Sequence, residues 1–199
     1  AKRAGYEHQH TALDLHDRKC DQNLARLHKA GILGVRTVSG DACELDEVLT
    51  SFDAMLGKPV KFDTVFIDAP CSGTGTMRRH PEIPWRLTEN DVTTELPKLQ
   101  LMMLKEAAAR VAAGGELIYA TCSVFDEENT QVVDAFLASP EGACFTVAPL
   151  SEAQILQLPD FEQAKKLVFV RQNDRGLFQS VPVNADSYDG HFCARLIRK

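Results

Sequence analysis

The sequence has little that would suit a membrane or a polyanion. Its apolar runs fall short of the roughly 18–20 residues that a membrane-spanning helix needs, and no secretory signal peptide is visible. The net charge is −6, whereas a domain that binds nucleic acid on its own usually presents a basic surface. We therefore expect a cytoplasmic protein without a membrane partner, in which any contact with nucleic acid depends on local charge.

Metal-binding patterns are also lacking. The six cysteines are scattered over the chain at positions 20, 43, 71, 122, 144 and 193. No CxxC occurs, and no cysteine–histidine cluster has the spacing of a zinc site, so we expect no bound metal. The missing CxxC also disfavours a thiol oxidoreductase that would use Cys71 and Cys122. Most of the cysteines are interpreted as reduced thiols that fill the core.

The order of the predicted elements indicates the fold. The chain has 199 residues, of which 44% are hydrophobic and 25% are charged, as in one globular domain. Strand-like and helical segments alternate, which is typical of a parallel sheet with helices on both faces. The last strands are expected to pair antiparallel at one edge. These patterns predict an α/β, Rossmann-like fold with ligands beyond the carboxyl ends of its strands.

The predicted elements come from hydrophobic periodicity and from residues that start or stop helices. The predicted strands are 11–15, 35–39, 61–70, 116–121, 167–171, 176–182 and 191–199. The predicted helices are 17–31, 40–56, 97–115 and 126–139.

Two cysteines follow the strands that are predicted to be buried. Cys71 comes after VFIDAP, and Cys122 comes after ELIYAT. Because parallel strands deliver their side chains to a common edge, these thiols can meet over one pocket. A thiolate is a strong nucleophile at neutral pH, and a pair beside a carboxylate suggests covalent attack followed by release. A single strand-end cysteine is more often an inert core thiol.

The blocks around these cysteines resemble RNA cytosine-C5 methyltransferases of the RsmB/Sun type. DAPCSGTG, the RRHP after it, the GGxLxYATCS block and the trailing EEN occur together and in order, from about Thr11 to Arg198. The resemblance implies transfer of a methyl group from S-adenosylmethionine to carbon 5 of a cytosine in RNA. Its RsmB character favours ribosomal RNA over transfer RNA. DNA cytosine methyltransferases are less similar, because a TCS cysteine is not expected in them.

The resemblance also implies roles for four residues. Cys122 is the nucleophile that adds to carbon 6 of the base, and Cys71 promotes the β-elimination that releases the product. Asp68, kept protonated by burial against the base, stabilises charge at nitrogen 3 and lies near the charged end of the cofactor. Pro70 makes the loop rigid, and its carbonyl accepts a hydrogen bond from the exocyclic amine. The target base must leave its stack to enter such a site.

Two aspartates near strand ends are candidates for cofactor binding. By the resemblance, Asp14 binds the ribose of S-adenosylmethionine and Asp41 binds its adenine amino group; an acidic residue after the second strand of such a fold commonly takes ribose hydroxyls. The simpler alternative for each is a helix cap or a turn residue.

A basic loop follows the first cysteine and is a candidate for RNA contact. Arg78, Arg79 and His80 are grouped there, close to Trp85, and such a loop suits both a phosphate backbone and the face of a base. The alternative is a solvated loop with a buried tryptophan. Two further polar residues are expected to be structural: Gln100 caps or solvates its helix, and Asn129 anchors the TCS loop.

The first strand of the resembling family and its glycine-rich Cys-Ala-Ala-Pro-Gly-Gly-Lys loop are not found before Asp14. We therefore expect residues 1–199 to be part of a catalytic domain that depends on S-adenosylmethionine, taken from a longer enzyme. The alternative is a non-catalytic fragment that keeps the fold but does not hold the cofactor.

Overall fold

The structure is a computed structural model that describes residues 10–150, 168–182 and 188–199, with the backbone alone described at 168–171. The chain divides into two compact units, Ala1–Val60 and Lys61–Lys199. The catalytic domain predicted over residues 1–199 would include both of them. Each unit is described by itself below.

Over residues 10–60, the first unit contains a two-stranded parallel sheet and three α-helices. Its elements are β1 (His10–Asp14), α1 (Asp17–Lys29), β2 (Val35–Ser39), α2 (Leu45–Val48) and α3 (Thr50–Leu56). Strand β1 pairs with β2 in parallel, and α1 connects them. The predicted helix over 40–56 is wrong in its extent, since two short helices meet at Leu49, whose backbone leaves the helical region at φ −97° and ψ 5°.

Helix α1 has clear sequence reasons for its ends. Asp17 lies in its first turn and Lys29 in its last. Each charge lies near the end of the helix dipole that has the opposite sign, so both stabilise the helix. Gly31 then adopts a left-handed conformation with φ 73°, which ends the helix without a side-chain clash. Cys20 is buried, and its thiol donates to the carbonyl of Val38 on β2 over 3.3 Å. The thiol therefore joins the helix to the sheet.

The second unit contains a mixed sheet and two α-helices among its described residues. Its strands are β3 (Phe62–Asp68), β4 (Val111–Thr121), β5 (Phe145–Val147), β6 (Val168–Gln172), β7 (Phe178–Pro182) and β8 (His191–Arg198), and its helices are α4 (Leu96–Arg110) and α5 (Thr130–Leu137). The order is β3-β4-β8-β7-β6, and β5 also pairs with β8. Strands β3 and β4 are parallel, and the remaining pairs are antiparallel, as predicted for the last strands.

The core of this unit lies between β4, β8 and the two helices. Leu117 and Tyr119 on β4, Leu196 on β8, Leu104 on α4 and Phe136 on α5 are all fully buried. Alternate residues of β4 face this core. Their packing fixes the position of the strand and of the loop that follows it. Within the described ranges, no helix is long and apolar enough to cross a membrane.

Two predictions for this unit need correction. The strand at Phe62–Asp68 lies where it was predicted, but Ile67 alone among its seven residues is buried, because β3 pairs on one side only within the described chain. The predicted helix over 97–115 ends at Arg110, and the VAAGG segment belongs to β4. The β-branched Val111 is extended, and Gly114 takes a left-handed turn inside the strand. The expectation of a missing first strand stays a prediction.

Candidate active site

The two cysteine loops begin at neighbouring strand ends. Strands β3 and β4 run in parallel with Asp68 opposite Ala120, and the amide of Ala69 donates to the carbonyl of Ala120 over 2.9 Å. The chain then turns into the two loops. The Sγ atoms of Cys71 and Cys122 lie 3.4 Å apart, close enough for one thiol to donate a hydrogen bond to the other. The expected meeting of the two thiols at one sheet edge is therefore what the structure shows.

The two thiols are not equivalent. The hydrogen bond from Cys71 lowers the pKa of Cys122 to about 7, against the opposing effects of burial and of Asp68. The pKa of Cys71 is raised well above its ordinary value, first by its hydrogen bond to Cys122 and then by burial. Cys122 is thus the sulfur that ionises first, while Cys71 keeps its proton and stabilises the thiolate. A low pKa combined with partial exposure is typical of a reactive cysteine.

The carboxyl group expected to meet the base, that of Asp68, is not enclosed by the protein alone. Asp68 ends β3 beside the thiols, but its side chain is exposed, so the protein by itself does not bury this carboxyl group. The fully buried acid of the site is Glu128, five residues after Ser123. Asp68 is exposed because β3 has a partner on one side only among the described strands.

Glu128 joins the two cysteine loops. One carboxylate oxygen accepts the backbone amide of Ser72, which follows Cys71, over 2.8 Å. The other accepts the hydroxyl of Ser123, which follows Cys122, over 2.5 Å. Its backbone carbonyl accepts the hydroxyl of the buried Tyr119 over 2.5 Å. The residue after each cysteine is therefore held by the same carboxylate.

Three hydroxyl groups form a second connection between the loops. Ser72, Thr74 and Ser123 are buried, and their oxygens lie 3.1–3.3 Å from one another. The main chain adds a further bond, because the amide of Gly75 donates to the carbonyl of Cys122 over 2.8 Å. The SGTG segment thus packs against protein, and Gly75 lies against the backbone of other segments.

Gln100 is a functional candidate that the sequence interpretation missed. It is fully buried, and its amide nitrogen donates to the carbonyl of Pro70 over 2.9 Å and to Glu128 over 3.0 Å. The expectation that it caps or solvates its helix is wrong, since the residue faces the core side of α4. A signal was present: this polar residue stands inside the apolar run LQLMML. The carbonyl of Pro70 therefore already accepts one hydrogen bond.

Asn129 anchors the TCS loop, as predicted. Its side-chain amide donates to the carbonyl of Ser123 over 3.0 Å, and its oxygen accepts the hydroxyl of Thr121 over 2.6 Å. Asn129 is fully buried, so these bonds are shielded from water. The loop that carries Cys122 is fixed on both sides of the cysteine.

The basic loop is largely paired within the protein. Both Arg78 and Arg79 form ion pairs with Asp189, in the latter case through two nitrogens. His80 contacts Glu82 over 3.3 Å. The expected basic cluster is present, but Asp189 offsets part of its charge, so its attraction for phosphate is smaller than the sequence suggests.

Trp85 lies on the same loop and is 90% exposed. The alternative of a buried tryptophan is therefore wrong. Nearby in sequence, a groove of about 360 Å³ is lined by residues of both cysteine loops and of the segment after Trp85, among them Thr74, Met77, Val92 and Phe125. An exposed indole beside an apolar groove offers flat surfaces on which a base can stack.

The two aspartates of the first unit take part in turns. Asp14 accepts the amide of His16 over 3.0 Å, and Asp41 accepts the amide of Cys43 over 2.8 Å. Both thus fulfil the simpler alternative of a turn residue. Each of these bonds uses one carboxylate oxygen, Oδ1, and Oδ2 has no partner among the described residues, which fits a carboxylate that also accepts hydroxyl or amino groups of a ligand. Over the same residues, no group of three or more histidine, cysteine or acidic side chains is arranged for a metal ion.

Comparison with solved structures identifies the fold as that of Rossmann-like methyltransferases. The crystal structure of PH0851 has a TM-score of 0.73 and 29% identity, and the match covers 94% of this chain and 36% of that one. A methyltransferase homolog from Pyrococcus horikoshii has a TM-score of 0.67 at 21% identity, over 95% of this chain and 53% of that one.

The family follows from sequence comparison. The family model for 16S rRNA methyltransferase RsmB/F matches residues 4–197, so the chain belongs to this family. The ribosomal RNA small subunit methyltransferase B of Salmonella arizonae is 39% identical over 140 residues. The match covers 70% of this chain and 27% of that protein, so the chain spans only about a quarter of its relative's length.

Proposed function

We propose that the protein carrying this chain transfers a methyl group from S-adenosylmethionine to carbon 5 of a cytosine in RNA, through a covalent bond between Cys122 and the base. The observation that carries the proposal is the pair of thiols 3.4 Å apart with opposite pKa shifts. Family membership supports ribosomal RNA as the substrate. The catalytic residues proposed are Cys122, Cys71 and Asp68.

The thiol pair suits an addition followed by an elimination. The Cys122 thiolate adds to carbon 6 and forms a sulfur–carbon bond, which makes carbon 5 nucleophilic enough to accept the methyl group. The proton on carbon 5 must then leave, and the sulfur–carbon bond must break to return the Cys122 thiolate. Asp68, exposed beside the thiols, would be covered by the base itself and would hold a proton toward nitrogen 3.

Cys71 can change its role between these two steps. Its pKa is raised mainly by its hydrogen bond to Cys122 and also by the charge of that neighbour. Both effects end when Cys122 becomes a neutral thioether, so the pKa of Cys71 falls once the base is bound. After the addition, Cys71 can therefore release its thiol proton to water, and the thiolate that forms is available to accept the proton that leaves carbon 5.

The cofactor is S-adenosylmethionine, which supplies the methyl group. We propose that Asp14 accepts the ribose hydroxyls and Asp41 the adenine amino group, each through the oxygen that its turn leaves open. Asp68 is the third acidic group proposed on the cofactor side. Hydroxyl and amino donors match these carboxylates chemically.

RNA contact is proposed for the loop after Cys71. Arg78, Arg79 and His80 lie there with exposed side chains, and Trp85 offers a stacking surface. The carbonyl of Pro70 is proposed to accept from the exocyclic amine of the target cytosine in addition to Gln100, since a carbonyl oxygen has two lone pairs.

The test is to trap the covalent intermediate. Cys71→Ala should accumulate a complex between protein and labelled RNA on a denaturing gel, because release is blocked while addition and methyl transfer proceed. With methyl-labelled S-adenosylmethionine, the label should migrate with that complex. Cys122→Ala should form no complex, and Cys144→Ser is the matched control with wild-type behaviour.

Two outcomes would contradict the proposal. A Cys122→Ala complex as abundant as that of the Cys71 variant would reverse or remove the assigned roles. A wild-type protein that forms no complex and transfers no label would favour the non-catalytic alternative. The thiol oxidoreductase alternative predicts redox turnover of Cys71 and Cys122 in the absence of both RNA and S-adenosylmethionine.

A further inference from the structure

We propose that Glu128 is a positioning residue for the reaction, which holds the two cysteine loops together and so sets the contact between the Cys71 and Cys122 thiols. This inference rests on the proposed function for its meaning in catalysis. Its geometric basis is independent of the identity of the substrate.

The carboxylate of Glu128 reaches both loops at matching points. It accepts the amide of Ser72, one residue after Cys71, and the hydroxyl of Ser123, one residue after Cys122. A shift of either loop would lengthen one of these bonds. The distance between the two sulfurs therefore depends on a group that touches neither of them.

Gln100 extends the same connection to the residue before Cys71. Its amide nitrogen donates to Glu128 over 3.0 Å and to the carbonyl of Pro70 over 2.9 Å. Cys71 is thus held from both sides, through Pro70 and through Ser72, by a single buried pair. This pair also fixes the carbonyl proposed to meet the exocyclic amine of the base.

Because Glu128 is fully buried, its carboxylate depends on hydrogen bonds from the protein in place of water. An ionised carboxylate without solvent is costly unless donors surround it. Three donors converge on its oxygens, from Ser72, Gln100 and Ser123. Removal of the carboxylate leaves all three donors buried without this acceptor, so the loops must rearrange to satisfy them.

Two substitutions separate the hydrogen bonds of Glu128 from its charge. In Glu128→Gln, the amide oxygen can keep the bonds from Ser72 and Gln100, and the amide nitrogen can donate to the Ser123 hydroxyl once that hydroxyl rotates. In Glu128→Ala, all of these bonds are lost. The glutamine variant should therefore keep the thiols together, and the alanine variant should not.

The expected results are distinct for the two variants. In the protein that carries this chain, Glu128→Ala should lower single-turnover methyl transfer by about 100-fold, the cost of displacing reacting groups by about 1 Å. Glu128→Gln should retain most of the activity. Because the charge of Glu128 raises the pKa of Cys122, the glutamine variant should also alkylate at Cys122 with a midpoint at lower pH than wild type.

In the alanine variant, the lost contact with Cys71 should move the alkylation midpoint of Cys122 above that of Glu128→Gln. The alkylation is measured with iodoacetamide over a pH series, by mass spectrometry of the peptide that contains Cys122. Asp126→Asn, an exposed carboxyl group on the same turn, is the matched control and should leave both readouts unchanged. A folded Glu128→Ala with wild-type transfer and an alkylation midpoint equal to that of Glu128→Gln would overturn the proposal.

If Glu128→Ala does not fold, Ser123→Ala tests the connection between the loops. It removes the bond to Glu128 together with the hydroxyl contacts to Ser72 and Thr74 and the bond from the Phe125 amide, and it leaves the carboxylate and its other donors in place. It should lower transfer and shift the alkylation midpoint upward, and unchanged values in both would count against the proposal. If the wild-type protein transfers no methyl group, the proposed function fails, while the alkylation profiles still decide whether Glu128 positions the thiols.

Discussion

The thiols of Cys71 and Cys122 differ in how readily they lose a proton, although their sulfurs are 3.4 Å apart. Each loop alone would present an ordinary thiol. When the two loops meet, the hydrogen bond between the thiols lowers the pKa of Cys122 and raises the pKa of Cys71. Cys122 is therefore the thiol that ionises more readily near neutral pH.

This difference in pKa predicts a pH profile for alkylation. The rate at Cys122 should rise with pH and reach half its maximum at about pH 7, because the thiolate is the reactive form and its pKa is about 7. In Cys71→Ala, the main cause of the low pKa is gone while burial and Asp68 still raise it, so the midpoint should move up to about 8.5 or above. Iodoacetamide labelling of the Cys122 peptide measures both.

Cys144→Ser serves as the control for this profile, since the Cys144 thiol bonds to the carbonyl of Glu141 and to neither thiol of the pair. Its midpoint should equal that of wild type. An unshifted midpoint in Cys71→Ala would show that the hydrogen bond between the thiols does not set the reactivity of Cys122.

Single residues differ in how well the sequence revealed them. The cysteines were identifiable because they stand in motifs after recognisable strands. Glu128 was not singled out, because a glutamate in an acidic stretch gives no sign of burial. The reverse holds for Trp85, for which burial was the simpler expectation and which is exposed.

Among the elements, the loop between β3 and α4 carries the parts proposed to meet RNA. It holds the paired arginines and the exposed Trp85, and it continues into a wide π-type turn at Asp91–Glu95 before α4. Such turns are frequent at functional sites. Since Asp189 offsets the charge of Arg78 and Arg79, stacking should contribute a large part of the loop's affinity.

Substitution of Trp85 tests this balance. Trp85→Ala should weaken binding of single-stranded RNA that contains the target cytosine by about 5- to 150-fold, the equivalent of the 1–3 kcal/mol that base stacking contributes. Trp85→Phe should keep much of the affinity, because it retains an aromatic face. Fluorescence anisotropy with labelled RNA provides the measurement.

Met102→Ala removes an exposed apolar side chain from α4 and is the control for this series. Neither substitution should change the free energy of unfolding by much, since both side chains are exposed. Equal RNA affinity for Trp85→Ala and wild type would exclude a stacking role.

The positions of strands were easier to predict than the boundaries between neighbouring elements. Strand β2 at Val35–Ser39 agrees with its prediction, because its β-branched residues are bounded by glycines. The start of β4 was missed, because VAAGG after a helix resembles an ordinary helix end. Pairing with Phe62 on β3 draws Val111 into the sheet, and no local pattern shows that contact.

At the scale of the whole molecule, distant segments close around the site. The amide of Gly190 donates to the carbonyl of Gly75 over 2.8 Å, and Gly75 in turn donates to Cys122. A Cβ atom at Gly75 would lie 2.1 Å from the carbonyl oxygen of Gly190 and 2.9 Å from that of Cys122. The segment before β8 is thus packed directly against both cysteine loops.

Gly75→Ala should therefore destabilise the protein by about 1–3 kcal/mol, because backbone atoms must move to admit the methyl group. Urea unfolding measures the change. Gly114→Asn is the control: its Cβ meets nothing within 4 Å, and asparagine tolerates the left-handed backbone at φ 73°. A Gly75→Ala variant as stable as wild type would mean that these three segments pack less closely than the structure indicates.

The sequence by itself determined the α/β fold, the antiparallel pairing of the final strands and the positions of Cys71 and Cys122 just after strand ends. These features follow from periodicity and motifs, which are local properties of the chain. Only the tertiary structure decided that Glu128 and Gln100 lie buried between the cysteine loops and that Asp68 is exposed. Burial and hydrogen-bond partners depend on residues that are distant along the chain. No local pattern records which of several acidic side chains will be enclosed when β3, β4 and the loops after them come together.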